Sequence, residues 1–117
     1  MIDEEGAWLE VQSDYAGAMS RGWVGILSAE LHFPEAHSLK EKRMRLRSAK
    51  AQLQNRFGAS VAEVDHHDVW QRARITAAVV AREHGEAERL LADAERYLAS
   101  REWELGRIER DIVTLEE

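Results

Sequence analysis

Cysteine is absent from this sequence of 117 residues, which excludes a disulfide framework, a thiolate zinc site and a cysteine nucleophile. No apolar run approaches the roughly 20 residues that a membrane-spanning helix needs. The first twenty residues contain five acidic and no basic side chains, so they do not resemble a signal peptide. We therefore expect a cytoplasmic protein with no membrane partner. A recognisable catalytic motif is also lacking, which favours a non-enzymatic protein without a cofactor.

Length and net charge limit the class of protein further. A chain of this length with 44% hydrophobic residues fits one domain, which can bury a core without metals or disulfides. The formal net charge is −6, whereas nucleic-acid-binding proteins usually carry a basic excess. Taken alone, the net charge argues against a nucleic-acid partner.

The acidic leader at residues 1–22 is predicted to lie outside the domain, and disorder is one interpretation of it. Its apolar residues follow no regular period. Met19 lies shortly before the first strand pattern, so a start codon assigned too early explains the leader as well as a genuine acidic arm does. The single domain is predicted to span residues 23–117.

Six segments of this domain have regular hydrophobic periods. Alternation predicts strands at residues 23–33, 60–66, 72–82 and 103–115, and helical spacing predicts helices at 38–57 and from 85 onward. Ser38 and Glu41 form a capping-box signature, and Gly58 is placed to end the first helix in a left-handed conformation. Gly106 is predicted to mark a bulge in the last strand.

The order of these elements predicts an α+β domain of the ferredoxin-like βαββαβ type. In this architecture a four-stranded antiparallel sheet carries two helices on one face, and its other face is open. Alternation predicts an open face that is mostly polar with one small apolar patch. Its residues are Val24, Ile26, Ser28, Glu30, His32, Arg72, Arg74 and Thr76.

The first helix contains the candidate binding residues. Residues 38–57 carry a charge of +6, whereas residues 1–37 and 58–117 each carry −6. A row of basic side chains can neutralise phosphates and release their counterions, which predicts a polyanion-binding surface. The candidates are Lys40, Lys42, Arg43, Arg45, Arg47, Lys50 and Arg56. The alternative is a solvated helix whose basic residues pair with the acidic remainder of the chain.

The run Asp65, His66, His67 and Asp68 contains groups that suit zinc or manganese. Neighbouring strand residues point to opposite faces, so the four side chains cannot converge on one ion. We therefore predict no metal site. A loop that closes a hairpin is the favoured interpretation, with Asp68 capping a turn and Trp70 packing over the hairpin end.

Two carboxylates precede this loop in the same predicted strand. Glu63 and Asp65 are two residues apart, which places them on one strand face. Such a pair can serve acid–base catalysis when burial separates the two pKa values. No nucleophile or oxyanion hole accompanies it, so we favour a surface pair matched across the strands by Arg72 and Arg74.

Three stretches together resemble a known family. They are SLKEKR at Ser38–Arg43, NRFGASVAEVDHHDVWQRA at Asn55–Ala73, and the ITAAVV that follows. Over about residues 23–115 the chain is similar to the YlxP-like family of small bacterial proteins, a domain of unknown function. The resemblance implies a ferredoxin-like fold and no catalytic residue. It also implies a genomic context, since members often lie in gene clusters with translation-initiation and ribosome-maturation factors.

Two functions fit these observations. The first is a non-enzymatic module that binds structured RNA or a ribosomal particle through the basic helix. Because the open face lacks the aromatic residues that stack on bases, such contacts would go to the RNA backbone. The alternative is a structural or regulatory homo-oligomer, such as a homodimer, that assembles through sheet edges or the open face at Val24 and Ile26.

Overall fold

A computed structural model describes residues 20–99 and 103–115. The elements in chain order are β1 (Trp23–His32), α1 (Leu39–Phe57), β2 (Ser60–Asp65), β3 (Arg72–Ala81), α2 (His84–Ala99) and β4 (Glu104–Val113). All neighbouring strands are antiparallel, in the order β2-β3-β1-β4. This is the predicted ferredoxin-like βαββαβ fold. Residues 1–19 of the predicted leader lie outside the described residues.

The core lies between the helices and one face of the sheet. The central strands β1 and β3 alternate buried with more exposed residues, as their period-two sequences require. Buried residues of both helices join those of the two strands in a single cluster, so the helices share one face. In the described ranges, neither helix has the length and apolar character needed to cross a membrane.

Helix α1 is capped at both ends. The side chain of Ser38 accepts a hydrogen bond from the Glu41 backbone N–H at 3.1 Å. The Glu41 carboxylate accepts from the backbone N–H of His37 at 2.7 Å, one residue before the cap, so the predicted capping box is shifted by one position. Gly58 ends the helix at φ 65°, where its N–H donates to the Gln54 carbonyl. The predicted left-handed cap is confirmed.

Two outer strands contain bulges. The register of β4 against β1 shifts between Ala29 and Leu31, and Gly106 lies within this shift, so the predicted bulge is confirmed. A Cβ at Gly106 would stand 3.2 Å from the Cβ of Glu30, which favours glycine there. A second shift, in β2 between Glu63 and Asp65, is marked by no glycine or proline in the sequence.

Three aromatic rings join the start of β4 to the end of α2. Trp103 is buried, and its ring centroid lies 6.1 Å from that of Phe33 and 6.4 Å from that of Tyr97, both in edge-to-face arrangements. The indole Nε1–H donates to the carbonyl of Leu98 at 3.0 Å. This cluster holds α2 against β4.

Candidate polyanion-binding surface

Four of the seven predicted basic residues form one row on α1, which we call the basic stripe: Lys40, Arg43, Arg47 and Lys50. The first three are exposed and Lys50 is half-buried. Ten residues separate the ends of the row, which corresponds to about 15 Å along the helix axis. Within residues 20–99 and 103–115, no member of the stripe forms an ion pair with a carboxylate. Their charge therefore faces solvent.

Lys42 is the exception, because it is fully buried. Its Nζ donates to the carbonyl oxygens of His66 at 2.7 Å and Arg72 at 3.0 Å. It also lies 2.9 Å from Oε2 of Glu63, in an ion pair rather than a well-directed hydrogen bond. Burial removes Lys42 from the predicted polyanion surface. Its role is to bind α1 to β2 and to the loop between β2 and β3.

Arg45 and Arg56 lie away from the stripe, on the other flank of α1. The Arg56 guanidinium stands 5.1 Å from the ring centroid of Tyr97 on α2, and its Nε donates to Gln52. Arg45 is half-buried and falls on the same side eleven residues earlier. The structure thus divides the seven candidates into four on the basic stripe, one in the core and two on the opposite flank.

The loop after β2 forms a turn around His66, whose φ of 65° is uncommon for a residue other than glycine. Oδ1 of Asp65 accepts from the His66 N–H at 2.7 Å, so Asp65 rather than the predicted Asp68 caps this turn. Trp70, which was predicted to pack over the hairpin end, is 51% exposed, so about half of its surface stays in solvent. Throughout the described ranges, no three histidine or acidic side chains are placed to hold a metal ion.

The imidazole of His66 reaches the open face of the sheet and contacts Glu30. Its Nε2 lies 2.8 Å from the Glu30 carboxylate and 3.3 Å from the guanidinium of Arg72. Arg72 and Arg74 lie 3.5 and 3.9 Å from the same carboxylate, and Arg74 binds Glu109 at 2.7 Å. The hydrogen bond from His66, followed by the charge of Arg72, lowers the pKa of Glu30 against the opposing effect of burial.

The predicted pairing of Glu63 with Asp65 on one face is wrong. Glu63 lies opposite Ile75 on the helix side, whereas Asp65 lies opposite Arg74 on the open side, because the bulge inserts one residue between them. Of these two carboxylates, only Asp65 lies opposite an arginine in the strand pairing, as was predicted for both. Glu63 pairs with Lys42 instead.

Replacement of Glu30 by glutamine is expected to reduce stability more at pH 7 than at pH 3. A folded-state pKa below the usual 4.5 means that ionised Glu30 stabilises the fold at neutral pH. That contribution disappears as the pH falls through the folded-state pKa. Urea unfolding of the wild type and Glu30→Gln across this range measures it, with the more exposed Glu109→Gln as control. A difference in stability that does not change with pH would contradict the assignment.

In the described residues, the fold and surface define an α+β protein with a ferredoxin-like sheet and a basic first helix. Residues 24–111 match the model of a family described as a protein of unknown function (DUF503). The chain belongs to this family.

A curated relative agrees with this assignment. The chain is 32% identical over 90 residues to the uncharacterized protein YlxP of Bacillus subtilis (strain 168), which covers 68% of this chain and 98% of that protein. The predicted resemblance to YlxP-like proteins is confirmed. Among solved structures, the de novo designed protein Ferredog-Diesel is 14% identical and has a TM-score of 0.36, covering 92% of this chain and 98% of that one.

Proposed function

We propose that this protein is a non-enzymatic module that binds the phosphate backbone of structured RNA, as in a ribosomal particle, through the basic stripe. The observation that supports the proposal is the presence of four basic side chains on one flank of α1, without ion-pair partners among the described residues. Such side chains gain most from neutralising phosphates, since none has to leave a carboxylate of the described ranges first.

The stripe is built on a rigid support. Caps hold both ends of α1, and the buried ammonium of Lys42 attaches its first turns to the hairpin. Basic groups on a fixed helix lose less conformational freedom on binding than groups on a loop. The −6 charges of residues 1–37 and 58–117 repel phosphate, so they favour contact through α1 alone.

The composition of the open face argues against base recognition there, which favours contact with the RNA backbone through α1. Its middle positions hold Ser28, Glu30, Arg74 and Thr76, and none of them offers a ring for stacking. Contacts through lysine and arginine to phosphates position an RNA without reading its sequence. The shape of the RNA would then determine where the protein binds.

Charge reversal of the stripe tests the proposal. The triple variant Arg43→Glu, Arg47→Glu and Lys50→Glu is expected to lose cosedimentation with ribosomal subunits at low salt. A matched control, Arg82→Glu, Arg89→Glu and Arg96→Glu, changes the net charge equally at exposed positions outside α1 and is expected to cosediment like the wild type. Unchanged cosedimentation of the first triple, or equal loss in the control, would overturn the proposal.

Salt dependence gives a second readout of the same contact. Four phosphate contacts predict that the logarithm of the association constant falls with the logarithm of salt concentration at a slope of about −3. The stripe triple should reduce this slope to about −1. Anisotropy titrations of a labelled ribosomal RNA fragment measure it, and an equal slope in the variant and the wild type would contradict the proposed contact.

A further inference from the structure

We infer that the open face of the sheet is the interface for a second copy of this chain. One end of that face is apolar. Val24 lies between Val80 on β3 and Val113 on β4, and Ile26 lies between Ala78 on β3 and Asp111 at the outer strand β4. Val80 is 77% exposed and Val113 is 42% exposed, so a solvated valine cluster lies at the sheet end where β1 begins.

The other end of the open face is charged. Glu30 and Arg74 are direct partners across β1 and β3, and Arg72 and Glu109 lie beside them. Ser28 and Thr76 separate the two ends and share a hydrogen bond of 3.1 Å. The face therefore changes from apolar to charged along the direction of the strands.

This arrangement is complementary to itself about one particular axis. Consider a twofold axis that lies between the two sheets, parallel to the strands and level with the midline between β1 and β3. It places β3 of one copy against β1 of the other, and each residue keeps its position along the strand direction. Val80 then meets Val24 of the second copy, and Arg74 meets Glu30, because both pairs already share a register. The symmetry forms each of these contacts twice.

The outer strands are complementary about the same axis. Strand β2 of one copy faces β4 of the other, since the sheet order is β2-β3-β1-β4. Along the strands, Asp65 is level with Arg74, and the β4 bulge that contains Arg107 is level with Glu30. Asp65 of one copy therefore faces this bulge in the other copy. A twofold axis across the strands would instead place the valine cluster on charged groups, which would lose their water without gaining partners.

The size of the face agrees with a reversible dimer. Three strands of ten residues and one of six, spaced about 4.8 Å apart at about 3.3 Å per residue, cover about 600 Å². Two copies would bury about 1,200 Å² in total, at the lower end of specific interfaces. Dimerisation should therefore depend on protein concentration.

The inference is independent of RNA binding. Both helices cover the opposite face of the sheet, so the basic stripe stays accessible when two open faces meet. Loss of the dimer and loss of RNA binding can thus be measured separately.

Sedimentation velocity at about 5–500 µM, a range wide enough to detect a weak and transient complex, tests the inference. The wild type should shift from monomer to dimer, and Val80→Glu should weaken association at least tenfold. Met44→Glu, at an exposed apolar position on α1, should leave it unchanged. A wild type that stays monomeric throughout would overturn the inference. A dimer that survives Val80→Glu, as pairing through sheet edges would allow, would also overturn it.

Cross-linking tests the assigned face in a separate variant. Since the natural chain has no cysteine, Thr76→Cys carries a single thiol at the centre of the open face. With sheets about 10 Å apart, a short bismaleimide should join two such thiols into a covalent dimer. Ser48→Cys, exposed on α1, should remain monomeric under the same conditions. Equal cross-linking of both variants, or none of Thr76→Cys, would overturn the assigned interface.

Discussion

Replacing Lys42 by methionine is expected to lower the free energy of unfolding by about 3–5 kcal/mol, the range for removing one partner of a buried ion pair. Methionine keeps most of the side-chain volume, so the loss comes from charge and hydrogen bonding rather than from a cavity. The carbonyls of His66 and Arg72 would lose their donor, and Glu63, only 15% exposed, would lose its cation.

Urea unfolding measures this effect against Lys40→Met as the matched control. Lys40 is exposed two residues earlier on the same helix, so its replacement should change stability by no more than about 0.5 kcal/mol. The double variant Lys42→Met with Glu63→Gln should regain part of the loss, because it removes the unpaired charge. Equal stability of the Lys42 and Lys40 variants would show that the buried ammonium stabilises nothing.

Replacing Trp103 by alanine is expected to cost about 3–5 kcal/mol, the usual range for deleting a large buried aromatic side chain. The substitution removes two edge-to-face contacts, with Phe33 and Tyr97, and the hydrogen bond to Leu98. Trp103 is 6% exposed, so the cavity would open inside the core between α2 and β4.

Two further variants separate the causes of this loss in urea or thermal unfolding. Trp103→Phe keeps an aromatic ring but loses the indole donor, so its effect should be smaller than that of alanine. Trp70→Ala, at a half-exposed position, should have little effect. If Trp70→Ala proved as destabilising as Trp103→Ala, the aromatic cluster would not be what holds α2 against β4.

The fold could be predicted from the sequence because each element follows its own local period. The alternation through Leu27, Ala29 and Leu31 places these residues in the core, and the glycines at positions 58 and 106 mark a helix end and a bulge. These signals depend on residues close together in the chain. Local spacing and backbone preference therefore determine most of the architecture.

The side-chain partners could not be predicted in the same way. Lys42 lies within the apolar stripe of α1, four residues before Leu46, but a lysine in such a position usually extends its ammonium to solvent. Its burial depends on carbonyls more than twenty residues away, which only the folded chain brings together. The bulge at Val64 has no sequence signal, and it moves Asp65 to the open side while Glu63 stays on the helix side. Contacts of this kind arise from tertiary packing rather than from periodicity.

His66 is held from both sides of the sheet. Its carbonyl accepts from Lys42 of α1 at 2.7 Å, while its imidazole lies 2.8 Å from Glu30 on the open face. A displacement of α1 would therefore pull on the backbone that positions this ring. The left-handed turn at His66 thus links the buried ammonium of α1 to the charged end of the open face through a single residue.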